Sequence, residues 1–122
     1  MKDQIQQIIE REDAVLFMKG TPQFAMCGNS QRALDALRRA GAPVTAVDIL
    51  PDPAIRRELS ALSGWPTIPQ VFVRGELIGG ADIVEELAAS GDLERTLEEK
   101  LGQDYRAAEA NGRVVDVLGA AR

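Results

Sequence analysis

The chain has 122 residues, of which 45% are hydrophobic and 27% are charged, so it can bury one domain-sized core and is unlike a globally disordered protein. Its net charge of −5 argues against a general nucleic-acid binder, because such proteins need many cationic contacts with phosphates. No histidine is present, which excludes imidazole catalysis and histidine-ligated metal sites.

Cysteine usage and the apolar segments indicate the compartment. Cys27 is the only cysteine, so the chain cannot form an internal disulfide or a metal site of four protein thiolates. The absence of a disulfide fits a reducing compartment, and the polar start of the chain is unlike a secretory signal. No apolar segment approaches the roughly 20 residues that cross a bilayer. We therefore expect a cytoplasmic protein that binds neither nucleic acid nor a membrane.

The first half of the sequence predicts a short helix followed by a βαβ unit. Isoleucines at helical spacing indicate an amphipathic first helix, and the apolar run Ala14–Met18 is typical of a strand buried on both faces. A helix over residues 28–40 comes next, and Val44–Asp48 is predicted as the second strand. The two strands should be parallel, with a right-handed crossover between them.

The second half predicts a helix, an antiparallel hairpin that turns at Arg74-Gly75, and two further helices. The element order indicates an α/β protein with a thioredoxin-like fold, in which helices flank a central mixed four-stranded sheet. The predicted starts in this half are Asp52-Pro53 for the first helix, Gln70 and Glu76 for the hairpin strands, and the turns Gly79-Gly80 and Ser90-Gly91 for the last two helices.

The pattern weakens after Gly102. Residues 105–110 are compatible with a helix and residues 114–118 with a strand, but the core requires no position in either segment. We therefore predict one domain, residues 1–102, followed by a C-terminal extension, residues 103–122, that is expected to be mobile.

Cys27 lies where the second helix is predicted to begin. The free N–H groups and the dipole of a helix N-terminus stabilise negative charge, so a cysteine there should have a lowered pKa. The resulting thiolate is both a nucleophile and a metal ligand, and Gly28 lets other backbone approach the sulfur. The alternative is a buried, neutral cysteine that only fills space in the first turn.

Two further segments have the features of a peptide-binding site. A cis bond before Pro69 would turn the backbone of Ile68 outward, where it can pair with an extended peptide. At the start of the fourth predicted helix, the free N–H groups of Ala81 and Asp82 would hold a carboxylate, and the Asp82 side chain would meet an ammonium group. Each segment is also compatible with an ordinary turn or helix cap.

Lys19 and Arg56 are the cations expected near these segments. Such residues are usually just solvated, but both lie at the edge where this fold brings the Cys27 loop and the Ile68 loop together. The combined features describe a peptide with two carboxylates, an amino group and a sulfur. That peptide is glutathione.

The order and spacing of these motifs resemble those of a monothiol glutaredoxin of the Cys-Gly-Phe-Ser type, over roughly the whole predicted domain. The segments that carry the resemblance are MKGTP, MCGNS, IRREL, WPTIPQVFV and GELIGGADIVEEL. The resemblance implies that Lys19 and Arg56 bind the glycyl carboxylate of glutathione. It further implies that Ile68 pairs with glutathione through its backbone, and that Ala81 and Asp82 hold the γ-glutamyl end.

The same resemblance implies that Cys27 ligates a [2Fe–2S] cluster shared by two protomers, each of which supplies one thiolate and one bound glutathione. The family delivers such clusters to apo iron–sulfur proteins and often pairs with BolA-type proteins. The protein would then be a homodimer when cluster-bound, and a carrier rather than a turnover enzyme. Two alternatives stay open: a glutathione-dependent thiol–disulfide oxidoreductase that acts through Cys27, and an adaptor that has lost the cluster.

Two residues beside Cys27 depart from the family pattern. Asn29 stands where the family has phenylalanine, and Ala25 stands where a proline is usual. Asparagine is polar and tolerates loop conformations, so it removes apolar cover near the cluster site. Both changes bear on the stability of a bound cluster rather than on the fold or on glutathione binding.

Overall fold

The structure is a computed structural model, and it describes residues 1–107 and 113–119. Within these ranges a single sheet has five strands, and helices cover both of its faces. The strands are β1 Ala14–Met18, β2 Val44–Asp48, β3 Gln70–Val73, β4 Glu76–Gly79 and β5 Arg113–Val114. The helices are α1 Lys2–Arg11, α2 Gly28–Arg39, α3 Pro53–Ser63, α4 Ala81–Ser90 and α5 Asp92–Leu101, followed by a 3-10 turn at Tyr105–Ala107.

The strand order is β4-β3-β1-β2-β5, so β1 lies at the centre of the sheet. It pairs in parallel with β2 and antiparallel with β3, while β3 and β4 form the predicted antiparallel hairpin. The sheet is therefore mixed, as the predicted thioredoxin-like fold requires. All five residues of β1 are buried, because side chains pack on both faces of the strand.

Two clusters of buried side chains lie on opposite faces of the sheet. Successive residues of β1 point to opposite faces, so Leu16 packs with α2, α4 and α5 while Phe17 packs with α1 and α3. The rings of Phe17 and Phe72 are nearly perpendicular, with centroids 5.7 Å apart. The isoleucines predicted to line one face of the first helix are buried in the cluster that contains Phe17.

The fifth strand corrects the predicted four-stranded sheet. β5 pairs in parallel with β2, with Arg113 opposite Thr45 and Val114 opposite Ala46. The sequence suggested a strand over residues 114–118, and only the first of these positions belongs to the observed one. A strand of two residues has no periodicity, so a pattern in the sequence cannot locate it.

Described residues of the predicted extension contribute to the core. Tyr105 is buried, and its hydroxyl donates to the carbonyl O of Ala40 at 2.7 Å. Val117 is buried in the cluster that contains α1 and α3. The expectation that the core requires no position in this segment is therefore wrong for these two side chains, because each fills a site made by distant parts of the chain.

A buried carboxylate in the domain is neutralised from β5. Glu12 is only 8% exposed, and it accepts hydrogen bonds from Thr45 Oγ1 at 2.8 Å and from Arg113 Nη1 at 3.0 Å. A carboxylate removed from water needs hydrogen bonds and a counter-charge. Thr45 supplies a hydrogen bond from within the predicted domain, and Arg113 of β5 supplies the counter-charge.

The boundary that we placed at residue 102 stays a prediction. Of the helix suggested over residues 105–110, Tyr105–Ala107 forms a 3-10 turn, and the remainder lies outside the described residues. In the ranges that the structure describes, no helix combines the length and the hydropathy needed to cross a membrane.

Candidate functional site

The loop between β1 and α2 brings Cys27 to the start of α2. The loop folds back on itself, because the carbonyl O of Lys19 accepts from the backbone N–H of Met26 at 2.8 Å. Gly20 has φ +94°, and a Cβ at this position would collide with the carbonyl O of Phe24. Only glycine therefore fits at position 20 without moving the loop.

Two polar side chains hold the same loop to the rest of the domain. The buried Ser30 Oγ accepts from the backbone N–H of Lys19 at 3.1 Å, and Asp48 Oδ1 accepts from the backbone N–H of Gly20 at 2.9 Å. Gly20 also pairs with Ala25 in an isolated antiparallel bridge. The loop thus keeps a set of backbone hydrogen bonds with alanine at position 25, where the resemblance places proline.

Cys27 occupies the N-cap of α2 and is partly exposed. Its neutral thiol makes no capping hydrogen bond, which leaves N–H groups of the first turn free to favour a thiolate. The pKa of the thiol is lowered, first because the backbone N–H of Ser30 stabilises the thiolate. Desolvation opposes this effect, whereas the Asn29 N–H, the Ser30 hydroxyl and the charge of Lys19 add to it. Partial exposure does not fit the alternative of a buried, space-filling cysteine.

Alkylation of Cys27 as a function of pH tests this electrostatic arrangement. A lowered pKa means that the reactive thiolate persists to lower pH than it does in an ordinary thiol. The folded protein should therefore react with iodoacetamide with a midpoint below that of the same protein unfolded in urea. Lys19→Met should raise the folded midpoint only slightly, because the charge of Lys19 is the smallest contribution. Equal midpoints in the folded and unfolded protein would contradict the assignment.

A groove of about 320 Å³ lies between the start of α2, the loop before β3 and the start of α4. Three residues predicted for the site, Ile68, Ala81 and Asp82, line it. The side chain of Ile68 is buried in the core, its bond to Pro69 is cis, and no described residue hydrogen-bonds its backbone N–H or C=O. Free backbone groups in a groove can pair with an extended peptide.

The start of α4 forms one side of this groove. Gly80 is the N-cap and provides no side-chain cap, so the N–H groups of Ala81 and Asp82 have no acceptor within the helix. Gly80 also lies close to the loop before β3, because a Cβ on it would be 3.2 Å from Trp65 Nε1 and 3.3 Å from the carbonyl O of Pro69. This close approach places free N–H donors of α4 beside that loop.

The two predicted cations border the site without lining the groove. Lys19 follows β1 directly, and its charge acts on the sulfur of Cys27. Arg56 lies on α3 and is exposed, and its guanidinium donates a long hydrogen bond, 3.5 Å, to the carbonyl O of Pro66. Each cation is therefore next to one of the two predicted segments, the cysteine loop or the loop before β3.

Arg32 is a groove residue that sequence reasoning missed. Its guanidinium donates to Asp82 at 2.9 Å, to Glu85 at 2.7 and 3.0 Å and to Asn29 at 2.9 Å. The sequence contains one signal for these contacts: Asn29 and Arg32 are three positions apart on one helix, a spacing that lets their side chains meet. The contacts with Asp82 and Glu85 join α2 to α4, and local spacing cannot reveal them.

A larger cavity, about 590 Å³, lies elsewhere, between the C-terminal half of α2 and the helices α4 and α5. No residue predicted for the site lines it. Its charged lining is mainly acidic, which disfavours an anionic peptide. The lining residues are Arg39, Ala40, Glu85, Glu86, Ala88, Ala89 and Glu94.

The family model described as glutaredoxin matches residues 14–78, which span β1, the cysteine loop, the loop before β3 and most of the hairpin. The chain belongs to the glutaredoxin family. This glutaredoxin is similar to Glutaredoxin 4 of Haemophilus ducreyi, with 46% identity over 97 residues that cover 80% of this chain and 91% of that protein. It is also similar to monothiol glutaredoxin-S11 of Oryza sativa, with 46% identity over 99 residues that cover 81% of this chain. The match spans 20% of that longer rice protein.

Solved structures confirm the thioredoxin-like fold of this glutaredoxin. Reduced poplar apo GrxS14 matches with a TM-score of 0.73 and 38% identity, covering 82% of this chain and 92% of that one. A buckwheat glutaredoxin–glutathione complex matches with a TM-score of 0.70 and 29% identity, covering 80% of this chain and 87% of that one.

This glutaredoxin can offer one thiolate, that of Cys27, to a metal. The described residues contain no group of three or more cysteine, aspartate or glutamate side chains placed to hold a metal ion. Cys27 is partly exposed with a favoured thiolate, so it fits one ligand position of an iron–sulfur cluster. A cluster held here would need its other ligands from outside the chain.

Proposed function

We propose that this glutaredoxin binds glutathione beside Cys27 and carries a [2Fe–2S] cluster, shared by two protomers, for delivery to apo iron–sulfur proteins. The observation that supports this proposal is the partly exposed Cys27 at the start of α2, where backbone N–H groups favour its thiolate. Such a sulfur is able to ligate iron or to attack a disulfide. The proposal includes a cytoplasmic location and a BolA-type partner.

Glutathione would lie extended along the groove. The backbone of Ile68 would pair with its cysteinyl residue, and the N–H groups of Ala81 and Asp82 would hold the γ-glutamyl carboxylate. Lys19 and Arg56 would bind the glycyl carboxylate at the other end. The similarity to a buckwheat glutaredoxin solved with glutathione supports this assignment.

The count of sulfur ligands sets the stoichiometry of the carrier. A [2Fe–2S] cluster takes four thiolates, and each protomer has only Cys27 to give. Two protomers and two bound glutathione molecules together supply the four. The cluster-bound form would therefore be a homodimer whose assembly depends on glutathione, and the cluster would be its cargo.

A second candidate function uses the same sulfur for turnover, and the lowered pKa of Cys27 favours it as well. The Cys27 thiolate would attack the glutathione sulfur of a glutathionylated protein, release that protein's thiolate and form a disulfide with glutathione. A free glutathione thiolate would then attack this disulfide, giving glutathione disulfide and regenerating Cys27. The third interpretation is an adaptor without a cluster, which requires neither cluster binding nor reduction of mixed disulfides.

Anaerobic reconstitution with iron, sulfide and glutathione separates these functions. A carrier should give a coloured dimer with charge-transfer absorption, and a matched sample without glutathione should stay a colourless monomer. A colourless monomer in the complete mixture would exclude the carrier function. Rapid reduction of a small glutathione mixed disulfide would then favour the oxidoreductase, and the absence of both properties would favour the adaptor.

Asn29→Phe should prolong the lifetime of the reconstituted cluster in air. A half-buried phenylalanine adds apolar cover worth about 1 kcal/mol, which corresponds to a change of about fivefold. The decay of the charge-transfer absorption measures the lifetime. Asn29→Gln keeps the position polar and serves as the control, so it should decay like the unmodified protein. Equal lifetimes in all three would show that the departure at position 29 does not affect the cluster.

A further inference from the structure

Arg32 holds four of its five N–H donors in contacts with neighbouring side chains. Nε and Nη2 donate to the two carboxylate oxygens of Glu85, Nη2 also donates to Asp82, and Nη1 donates to Asn29. A guanidinium has five N–H donors, so one N–H on Nη1 has no acceptor among the described residues. Glu85 therefore fixes this cation in place while part of the cation stays available.

Arg32 lines the proposed glutathione groove. Asn29, Ala81 and Asp82 line the same groove. The uncapped N–H groups at the start of α4 lie at the same end. A carboxylate entering this end would meet helix N–H donors together with the remaining N–H of the guanidinium, and charge-assisted hydrogen bonds of this kind are among the stronger ones in proteins.

Asp82, in contrast, is not a free anion. Its Oδ1 accepts from Arg32 at 2.9 Å, and the guanidinium that it contacts is held by Glu85 as well. A ligand ammonium group approaching Asp82 would have to share this carboxylate with the guanidinium and would be repelled by it. The Asp82 side chain is also 85% exposed, so water screens what attraction is left.

We propose that Arg32, anchored by Glu85, makes this site recognise the γ-glutamyl end of glutathione by its carboxylate and hardly at all by its ammonium group. This inference rests on the proposed binding of glutathione. It also gives Asn29 a role, because Oδ1 of Asn29 holds Nη1 of Arg32 at the groove, which a phenylalanine could not do. The site would consequently accept glutathione derivatives whose amino group is missing or acylated.

Two analogues of S-methylglutathione test the inference. One lacks the amino group (a glutaryl group replaces the γ-glutamyl residue), and the other lacks the γ-glutamyl carboxylate (a 4-aminobutyryl group replaces it). In the unmodified protein, loss of the amino group should weaken binding by less than about threefold, and loss of the carboxylate should weaken it by about tenfold or more. Titrations followed by NMR of the full chain measure the three dissociation constants.

Arg32→Gln should reverse this preference. The substitution frees Asp82 for the ammonium group and removes one donor to the carboxylate, so loss of the amino group should now cost about fivefold or more and loss of the carboxylate less than about threefold. Arg32→Lys keeps the positive charge and should stay insensitive to the amino group. Arg38→Gln makes the same change at an exposed position on α2 and should behave like the unmodified protein.

Three results would overturn the inference. A loss of about tenfold or more on removing the amino group from the ligand of the unmodified protein would show that the ammonium group is recognised. If Arg32→Gln, shown to be folded by its circular dichroism spectrum, lost the same affinity for each of the two analogues as the unmodified protein does, Arg32 would not set the preference. Failure of S-methylglutathione to bind the unmodified protein would overturn the proposed function together with the inference, and this failure is recognisable because it precedes any comparison of analogues.

Discussion

Deleting residues 103–122 should lower the free energy of unfolding by about 3–5 kcal/mol, although this segment lies outside the predicted domain. The deletion removes the buried ring of Tyr105 and the buried side chain of Val117. It also leaves the carboxylate of Glu12 buried without the positive charge of Arg113. Urea denaturation followed by circular dichroism measures the change.

Point variants in the full chain divide this loss among its causes. Tyr105→Phe should cost about 1 kcal/mol, because it removes the hydrogen bond to a carbonyl O and nothing else. Arg113→Gln should cost about 1 kcal/mol, since the Arg113 side chain is 57% exposed and water screens the pair. Arg95→Gln breaks an exposed ion pair with Asp92 and should change the stability by less than about 0.5 kcal/mol. If the truncated protein were as stable as the full chain, residues 103–122 would be an appendage after all.

Cys27→Ser should abolish the coloured, glutathione-dependent dimer completely. A serine hydroxyl stays protonated where the thiol ionises, so it cannot supply the thiolate that iron requires. The free energy of unfolding should not fall and should rise by up to about 1 kcal/mol, because the thiol makes no capping hydrogen bond and a serine hydroxyl at the N-cap can accept one. Absorption spectra and gel filtration after anaerobic reconstitution give the first result, and urea denaturation gives the second.

Met26→Leu is the matched control for this substitution. Met26 carries the neighbouring sulfur and is 69% exposed, so a variant that lacks its thioether should still form the coloured dimer. Colour that persisted in Cys27→Ser would mean that another group holds the iron, and the carrier function would have to be abandoned. Cys27→Ser should also lose any reduction of mixed disulfides. Because this variant lacks both candidate functions, only assays of the unmodified protein can distinguish the carrier from the oxidoreductase.

Elements with strong local signals could be predicted from the sequence. The helix α3 is an example, because Asp52 accepts from the backbone N–H of Ala54 at 2.9 Å at its start and Gly64, with φ +72°, ends it. The buried strand Ala14–Met18 is another, since an unbroken apolar run has few alternatives in a chain of this size. In each case the residues that determine the structure are close neighbours in the chain.

Contacts between distant residues could not be predicted in this way. Glu12 and Arg113 are 101 positions apart, and nothing in either segment indicates the other. The same holds for the hydroxyl of Tyr105, which finds its acceptor 65 positions away. A strand of two residues and a buried carboxylate each depend on a partner that only the folded chain supplies, which is why the predicted sheet did not include a fifth strand.

Local motifs in the sequence also predicted part of the candidate site, and contacts between distant elements account for the part that they did not predict. Ile68, Ala81 and Asp82 belong to compact motifs, and the fold does bring them to one groove. Arg32 has no motif of its own, because its main contacts come from α4, and they were invisible before the packing of α2 on α4 was known.

The short strand β5 covers part of the sheet edge that β2 would otherwise form. An uncovered β2 would offer five residues of unpaired backbone, on which a second chain could extend the sheet. β5 pairs with Thr45 and Ala46 in the middle of β2, and its own two residues are too few to template such growth. Crowded solutions should therefore not drive fibril-like polymerisation through this border.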